Sequence, residues 1–193
     1  MDYINDRQKL LDLLKKNLSK EKYTHSLNVE KTAIELANKW GEDEQKAGFA
    51  GLMHDVTKGL DNIALAKEYG IKDYASPKTL HAYTGAIYLQ KQEITQDPDI
   101  LNAVKYHTTG REGMSLLEKI VYLADLIEPG RDYASAQKIR PVCYESLDLA
   151  MFLSLKMTIK FILKRNMPID LNTVFAYNYY SRAAGDQKTI GGK

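Results

Sequence analysis

Residues 19–41 read SKEKYTHSLNVEKTAIELANKWG, and this stretch sets the fold class. Val29, Ala33, Leu36 and Trp40 follow one another at steps of four, three and four, which is the stripe of an amphipathic helix. Ser19 supplies an N-cap hydroxyl and Gly41 a stop. His25 stands four residues before Val29, so it shares the inward stripe.

The same period recurs on both sides, and strand-like alternation is nearly absent. Upstream, a helix is expected over about Asp6 to Leu18. Downstream, one begins after Glu42–Asp43, carries Phe49, Leu52, Met53 and Val56, and has His54–Asp55 in its last turn. Gly48 and Gly51 would let a neighbouring helix come close. A short helix over Asp61 to Tyr69 closes at Gly70, and another starts at Pro77 and carries His81. Asp97–Pro98 opens a helix with Ile100, Val104 and His107 on one face and Gly110 as its stop. Ser115 and Glu118 form a capping-box pattern ahead of Leu117, Val121 and Asp125. A long amphipathic helix is expected over Tyr144 to Lys164, and a loose tail from about residue 181. No repeat, linker or low-complexity segment appears, so the expectation is one all-α domain over residues 1–193.

Composition excludes several classes. With 44% hydrophobic and 27% charged residues the chain can bury a globular core. A net charge of +2 without a basic block argues against duplex nucleic acid as a partner. No apolar run suits a signal peptide or a membrane span, so neither membrane association nor export is expected and the cytoplasm follows by default. The single cysteine, Cys143, cannot form an internal disulfide and reads as a packing residue.

The chemistry-bearing residues are His25, His54, Asp55, His81, His107 and Asp125. Taken singly each has a bland reading: an inward histidine is more often a hydrogen-bonded core residue, and an aspartate at a helix end a cap. Together they favour a metal site. Every histidine of the chain falls in a helical context, and Asp125 sits on an apolar stripe where a carboxylate needs a partner or a cation. Imidazole and carboxylate donors without thiolates suit divalent iron, manganese or zinc.

The order of these residues resembles the HD superfamily of metal-dependent phosphohydrolases. HDVTKG from His54, HTTGR from His107 and YLADLIEPGRDY from Tyr122 are similar to the bacterial family of symmetrical diadenosine tetraphosphate hydrolases, the YqeK family. The likeness runs from about Tyr23 to Tyr133, with AYNYY near Ala176 adding to it. It implies an HD-type helical bundle that cuts diadenosine tetraphosphate into two ADP through metal-bound hydroxide attacking an inner phosphorus.

It further implies that His25, His54, Asp55 and Asp125 hold one divalent metal, with iron favoured. His81 and His107 would hold a second metal with Asp55 bridging, or contact phosphate if one ion binds. Asp55, Lys58 and Asp125 would be catalytic. Lys58, His81, His107, Thr108, Thr109, Arg131, Tyr177 and Asn178 would contact substrate. Tyr83 departs from the family's turn and is expected to alter the rim of the nucleotide pocket.

Several alternatives stay open on residues alone. Lys58 is either a phosphate ligand or a solvated charge at a helix C-terminus, and Arg131 a phosphate fork or a surface arginine. Glu128 holds either Arg131 or a metal-bound water. Phe175, Tyr177, Tyr179 and Tyr180 either stack on a base or pack together. The rival functions are an HD nucleotidase or alarmone hydrolase, a non-catalytic nucleotide sensor and a di-iron oxygenase. Assembly as a homodimer is left open.

Overall fold

The computed structural model describes residues 3–190, with side chains over 6–183. Among the described residues there are ten α-helices and no strand. In chain order these are α1 (Tyr3–Asn17), α2 (Lys20–Trp40), α3 (Glu44–Met53), α4 (Asn62–Glu68) and α5 (Leu80–Lys91), the last led in by a 3₁₀ turn at Pro77–Thr79. Then come α6 (Pro98–Tyr106), α7 (Leu116–Ile127), α8 (Ala134–Val142), α9 (Leu147–Lys164) and α10 (Leu171–Ile190). No helix among the described residues is long and apolar enough to cross a membrane.

α2 forms as its stripe requires. The Ser19 hydroxyl accepts from Lys22 N, and Gly41 closes the helix in the left-handed region, its N–H donating to Ala37 O. Val29, Ala33 and Leu36 are fully buried, and each buried leucine-sized side chain contributes roughly 1.5–3 kcal/mol. α3 lies tight against this face. A Cβ on Gly51 would come within 3.0 Å of Ala33 Cβ and 3.1 Å of Val29 O, so the crossing depends on that glycine.

α7 is the central helix, touching α2, α3, α6, α8 and α9. Its capping box is complete: Ser115 Oγ accepts from Glu118 N, and Glu118 accepts from Ser115 N. Glu118 is fully buried and also takes a two-pronged Arg111 at 2.9 and 2.8 Å, which offsets its burial.

α1 meets the loop that follows α3. Asn17 Nδ2 donates to Val56 O at 3.1 Å, and a Cβ on Gly59 would overlap the Asn17 carbonyl. The loop therefore lies flat on the end of α1 and tolerates only glycine at 59.

Two helices were not anticipated. α8 carries Pro141 in its last turn and a short apolar set, Ala136 and Ile139, too brief to declare a period. Its end at Cys143 moves the start of α9 from the expected Tyr144 to Leu147, behind the Ser146 cap. α10 continues to Ile190, through most of the segment from 181 expected to be loose; residues 191–193 lie outside the described ones. Cys143 is buried, and its thiol is pushed up to about 12 by burial.

Candidate metal centre

His54 and His107 are positioned by the same local device. Each stands at the C-cap of its helix, α3 and α6, and its Nδ1 hydrogen bonds to the carbonyl three residues back: Gly51 O for His54 and Val104 O for His107, both at 2.7 Å. A carbonyl can only accept, so Nδ1 carries the hydrogen and Nε2 presents a lone pair. Asp55 follows His54 into the turn. α5 brings His81 in its first turn, α2 brings His25, and α7 brings Asp125.

All six side chains converge. His25 Nε2 lies 2.9 Å from Asp125 Oδ1, and His54 Nε2 lies 3.3 Å from Asp55 Oδ2 and 4.0 Å from Asp125 Oδ1. On its other oxygen, Oδ1, Asp55 faces His81 Nε2 at 3.2 Å and His107 Nε2 at 3.4 Å. These two nitrogens are 3.3 Å apart. Three sets of donors, each within 4.8 Å, overlap here: His25–His54–Asp55, His54–His107–Asp125 and Asp55–His81–His107.

Lone pairs of imidazole and carboxylate facing each other at such distances repel unless a proton or cation lies between them. His54 Nε2 and Asp55 Oδ1 are buried without a hydrogen-bond partner, a state that native structures rarely leave unexplained. The charge states also suit a cation. Burial pushes His54 and His81 down, so both are neutral at pH 7. Asp55 and Asp125 are drawn well below the usual carboxylate range: burial raises both, positive charge and N–H donation from the facing histidines outweigh it, and a cation supplies the same pull where those imidazoles are neutral. Neutral imidazoles and ionised carboxylates are the forms that ligate, and the donor set fits a divalent metal.

The surrounding groups hold the ligands in place. Glu128 accepts from His25 Nδ1 at 3.0 Å and from Asn28 Nδ2 at 2.9 Å, with Gly130 N also donating to it. Glu128 thereby orients His25, while Arg131 Nε stands off at 3.8 Å. His25 itself is raised; burial lowers it, but hydrogen bonds and charge from Asp125 and Glu128 prevail. Thr57, fully buried, donates to His81 O at 2.9 Å and meets Thr84 Oγ1 at 3.0 Å. Asn62 joins this network through Thr57 O and Thr84, so the loop after Asp55 is tied to the helix bearing His81.

Lys58 and Arg131 each pair with a candidate ligand. Lys58 Nζ donates to Asp55 Oδ2 at 2.8 Å, and Arg131 donates to Asp125 Oδ1 at 2.9 Å and to Asp125 O at 3.2 Å. Both also line an open cleft of about 710 Å³ that reaches His25 and Asp55. Lys20 and Lys22, in the first turn of α2, line the same cleft. Sequence reasoning missed them because exposed lysines at a helix start look like any solvated face; the only signal was their closeness to His25. Behind Arg131 lies a smaller chamber of about 200 Å³, bounded in part by His107, Thr108 and Asp125.

Three expected contacts fall elsewhere. Thr109 is buried, its hydroxyl donating to Gly110 O and its carbonyl accepting from Thr173 Oγ1, so it braces the turn after α6 and faces neither space. Tyr177 stacks on Phe152 with ring centroids 5.8 Å apart, and Asn178 is exposed on α10; neither lines the cleft or the chamber. Of the C-terminal aromatics, Tyr177 packs on Phe152 and Tyr180 is fully buried, whereas Phe175 and Tyr179 are exposed. Tyr83 does not line this cleft: its hydroxyl donates to Asp170 and accepts from Asn172, 3.2 Å each, and it lines a separate cavity of about 420 Å³.

Comparison with known proteins agrees with this geometry. The model of the HD domain family matches residues 23–130, which include all six clustered residues. The chain is 40% identical to a symmetrical bis(5'-nucleosyl)-tetraphosphatase of Halalkalibacterium halodurans, over 90% of this chain and 96% of that protein. It is 37% identical to the protein of the same description from Bacillus subtilis, over 90% and 97%. A crystal structure of a predicted HD superfamily hydrolase involved in NAD metabolism, from Clostridium acetobutylicum, superposes with a TM-score of 0.85 at 38% identity, covering 92% of this chain and 97% of that one. With its helical cluster of histidines and aspartates and its full-length likeness to these relatives, the chain belongs to the HD-domain family and, within it, to the symmetrical bis(5'-nucleosyl)-tetraphosphatases.

Proposed function

We propose that this chain hydrolyses diadenosine tetraphosphate symmetrically, giving two ADP. The observation that carries the reading is the double-sided environment of Asp55: one oxygen turns toward His54, the other toward His81 and His107. A carboxylate so placed suits a bridge between two cations. His25, His54, Asp55 and Asp125 would hold the first ion, and Asp55, His81 and His107 the second. The donor set, imidazole and carboxylate without thiolate, suits divalent iron, manganese or zinc, and of these we favour iron on the family resemblance. The relatives' names supply the substrate class.

When bound, divalent cations lower the pKa of water from about 15.7 to roughly 7 and polarise phosphoryl oxygens. The chain's own residues do the rest. Asp55 and Asp125 would hold the cations, and Lys58 and Arg131, which pair with them and line the cleft, would then be free to meet the phosphates. The oxygen of water bonds to an inner phosphorus, and the bond from that phosphorus to the central bridging oxygen breaks. ADP leaves with the electron pair, and Lys58 offsets the charge that develops. We take the cytoplasm as its compartment, a reading that a nucleotide substrate and the lone thiol of Cys143 support.

Product analysis tests the proposal. Chromatography is expected to show ADP alone from diadenosine tetraphosphate, and heavy-oxygen water is expected to label the terminal phosphate of one ADP. AMP plus ATP as first products would reject the symmetrical cut. Nucleotide binding with no turnover in iron, manganese, cobalt or magnesium would favour a sensor.

A further inference from the structure

The chamber beside the metal ligands continues into a second space. Leu126, Tyr133 and Thr158 line the chamber, and the same three residues line an adjoining cavity of about 500 Å³. Ser135, Ser154, Met157 and Phe161 complete that cavity, between α7, the start of α8 and α9. The passage changes character along its length. Near His107, Asp125 and Arg131 it is charged; past Tyr133 no charged side chain lines it, and its walls are two aromatic rings, aliphatic and thioether groups, and three hydroxyls.

We infer that this cavity is the nucleoside pocket, taking the base and ribose of one half of the dinucleotide while its phosphates run past Arg131 to the metal ligands. The inference rests on the proposed substrate and names where its apolar end goes. A volume of about 500 Å³ suits a nucleoside, within the roughly 300–1,000 Å³ of small-molecule sites. Phe161 is 51% exposed and Tyr133 42% exposed, and their rings offer flat surfaces on which a heterocycle stacks. Arg165 lies 4.6 Å from the centre of the Phe161 ring and fixes its neighbourhood by a cation–π contact.

Hydroxyls of Ser135 and Thr158 offer donors and acceptors to the edge of a base, and Ser154, whose hydroxyl donates to Met151 O, offers an acceptor. A purely apolar lining would lack these groups. No cation lines the cavity, so phosphate has no reason to enter it. The basic cleft on the other side of Arg131, with Lys20, Lys22 and Lys58, is left for the second half of the molecule. A symmetrical substrate is thus gripped unsymmetrically, one nucleoside enclosed and the other in the open cleft.

Calorimetric titration of the metal-loaded protein with ADP and, separately, with inorganic pyrophosphate tests this. Met157→Trp narrows the cavity, and Phe161→Ala removes an exposed ring that the fold does not need. Each is expected to weaken ADP about tenfold or more and to leave pyrophosphate within about twofold, as a lost stacking contact predicts. Loss of both ligands alike, loss of neither, or no ADP binding by the unaltered protein would overturn the inference. Binding needs no turnover, so a protein that takes ADP in this pattern yet fails to cut diadenosine tetraphosphate would sink the proposed activity and keep the pocket. Unchanged melting temperatures show that the variants are folded, and Phe161→Ala stands alone if Met157→Trp is not.

Discussion

Glu128 and His25 meet across 103 residues of sequence: His25 Nδ1 donates to Glu128 Oε1 at 3.0 Å, and the opposite nitrogen, Nε2, is thereby aimed at Asp125. A carboxylate behind a ligating histidine fixes the ring and raises its basicity. Glu128→Ala is expected to weaken metal binding about 10–100-fold. Glu128→Gln keeps an accepting oxygen and is expected to lose less. Competition against a chelating dye measures both, and an alanine variant with unaltered affinity would remove Glu128 from this role.

Lys58 is tied to Asp55 Oδ2 rather than to any group beyond the site. Lys58→Ala is expected to lower kcat about 100–1,000-fold, the size seen when one preorganised charge or donor is removed. Metal content, read by elemental analysis, is expected to stay intact. A rise in KM with kcat unchanged would instead make Lys58 a uniform binding residue.

Asp55 faces four of the candidate partners at once, so no other single carboxylate replaces it. Asp55→Ala is expected to abolish turnover and also the thermal stabilisation by added metal. With metal at 100 times its Kd the unaltered protein gains about 2.7 kcal/mol, and the variant is expected to show no shift in melting temperature. A variant still stabilised by metal would place the ion elsewhere.

Asp97 does two structural jobs away from the site. It caps α6 by accepting from Asp99 N at 2.9 Å, and it pairs with Lys46 at 2.7 Å. The lysine's hydrogen bond holds the Asp97 carboxyl below its ordinary 3.8. Because the folded value is the lower one, this stabilisation is complete above 3.8 and fades as pH falls through the folded value. Asp97→Ala is expected to cost about 1 kcal/mol in denaturant unfolding at pH 7. Asp97→Asn keeps the cap and is expected to lose only the acid-sensitive part.

Most of the helical frame was legible in the sequence because those stripes are long and their ends are marked, whereas α8 has too short an apolar set to declare itself. Ser19, Asp43, Asp61, Asp97 and Ser115 all serve as side-chain N-caps. The metal residues were legible because imidazoles and carboxylates on apolar stripes conflict with their surroundings, and the conflict is local. The missed features depend on tertiary meeting. Glu128 finds His25 from a distant helix, Thr57 finds His81 O, and Lys20 and Lys22 become notable only once α2 stands beside the cleft. Thr109 differs from Thr108, which lines the chamber, in a way the sequence hides: its hydroxyl donates to Gly110 O.

α1 gives no atom to the cluster, yet Asn17 holds Val56 O and lies flush on Gly59, on either side of Lys58. The span that matches the HD family begins only at residue 23. Arg131, Tyr133 and Phe161 lie past its other end at 130. A fragment trimmed to the matched span would keep all six clustered residues and lose both the brace under the histidine–aspartate loop and most of the walls of the proposed nucleoside pocket. The recognisable signature and the working machine therefore have different borders, and transplanting the first would not carry the second.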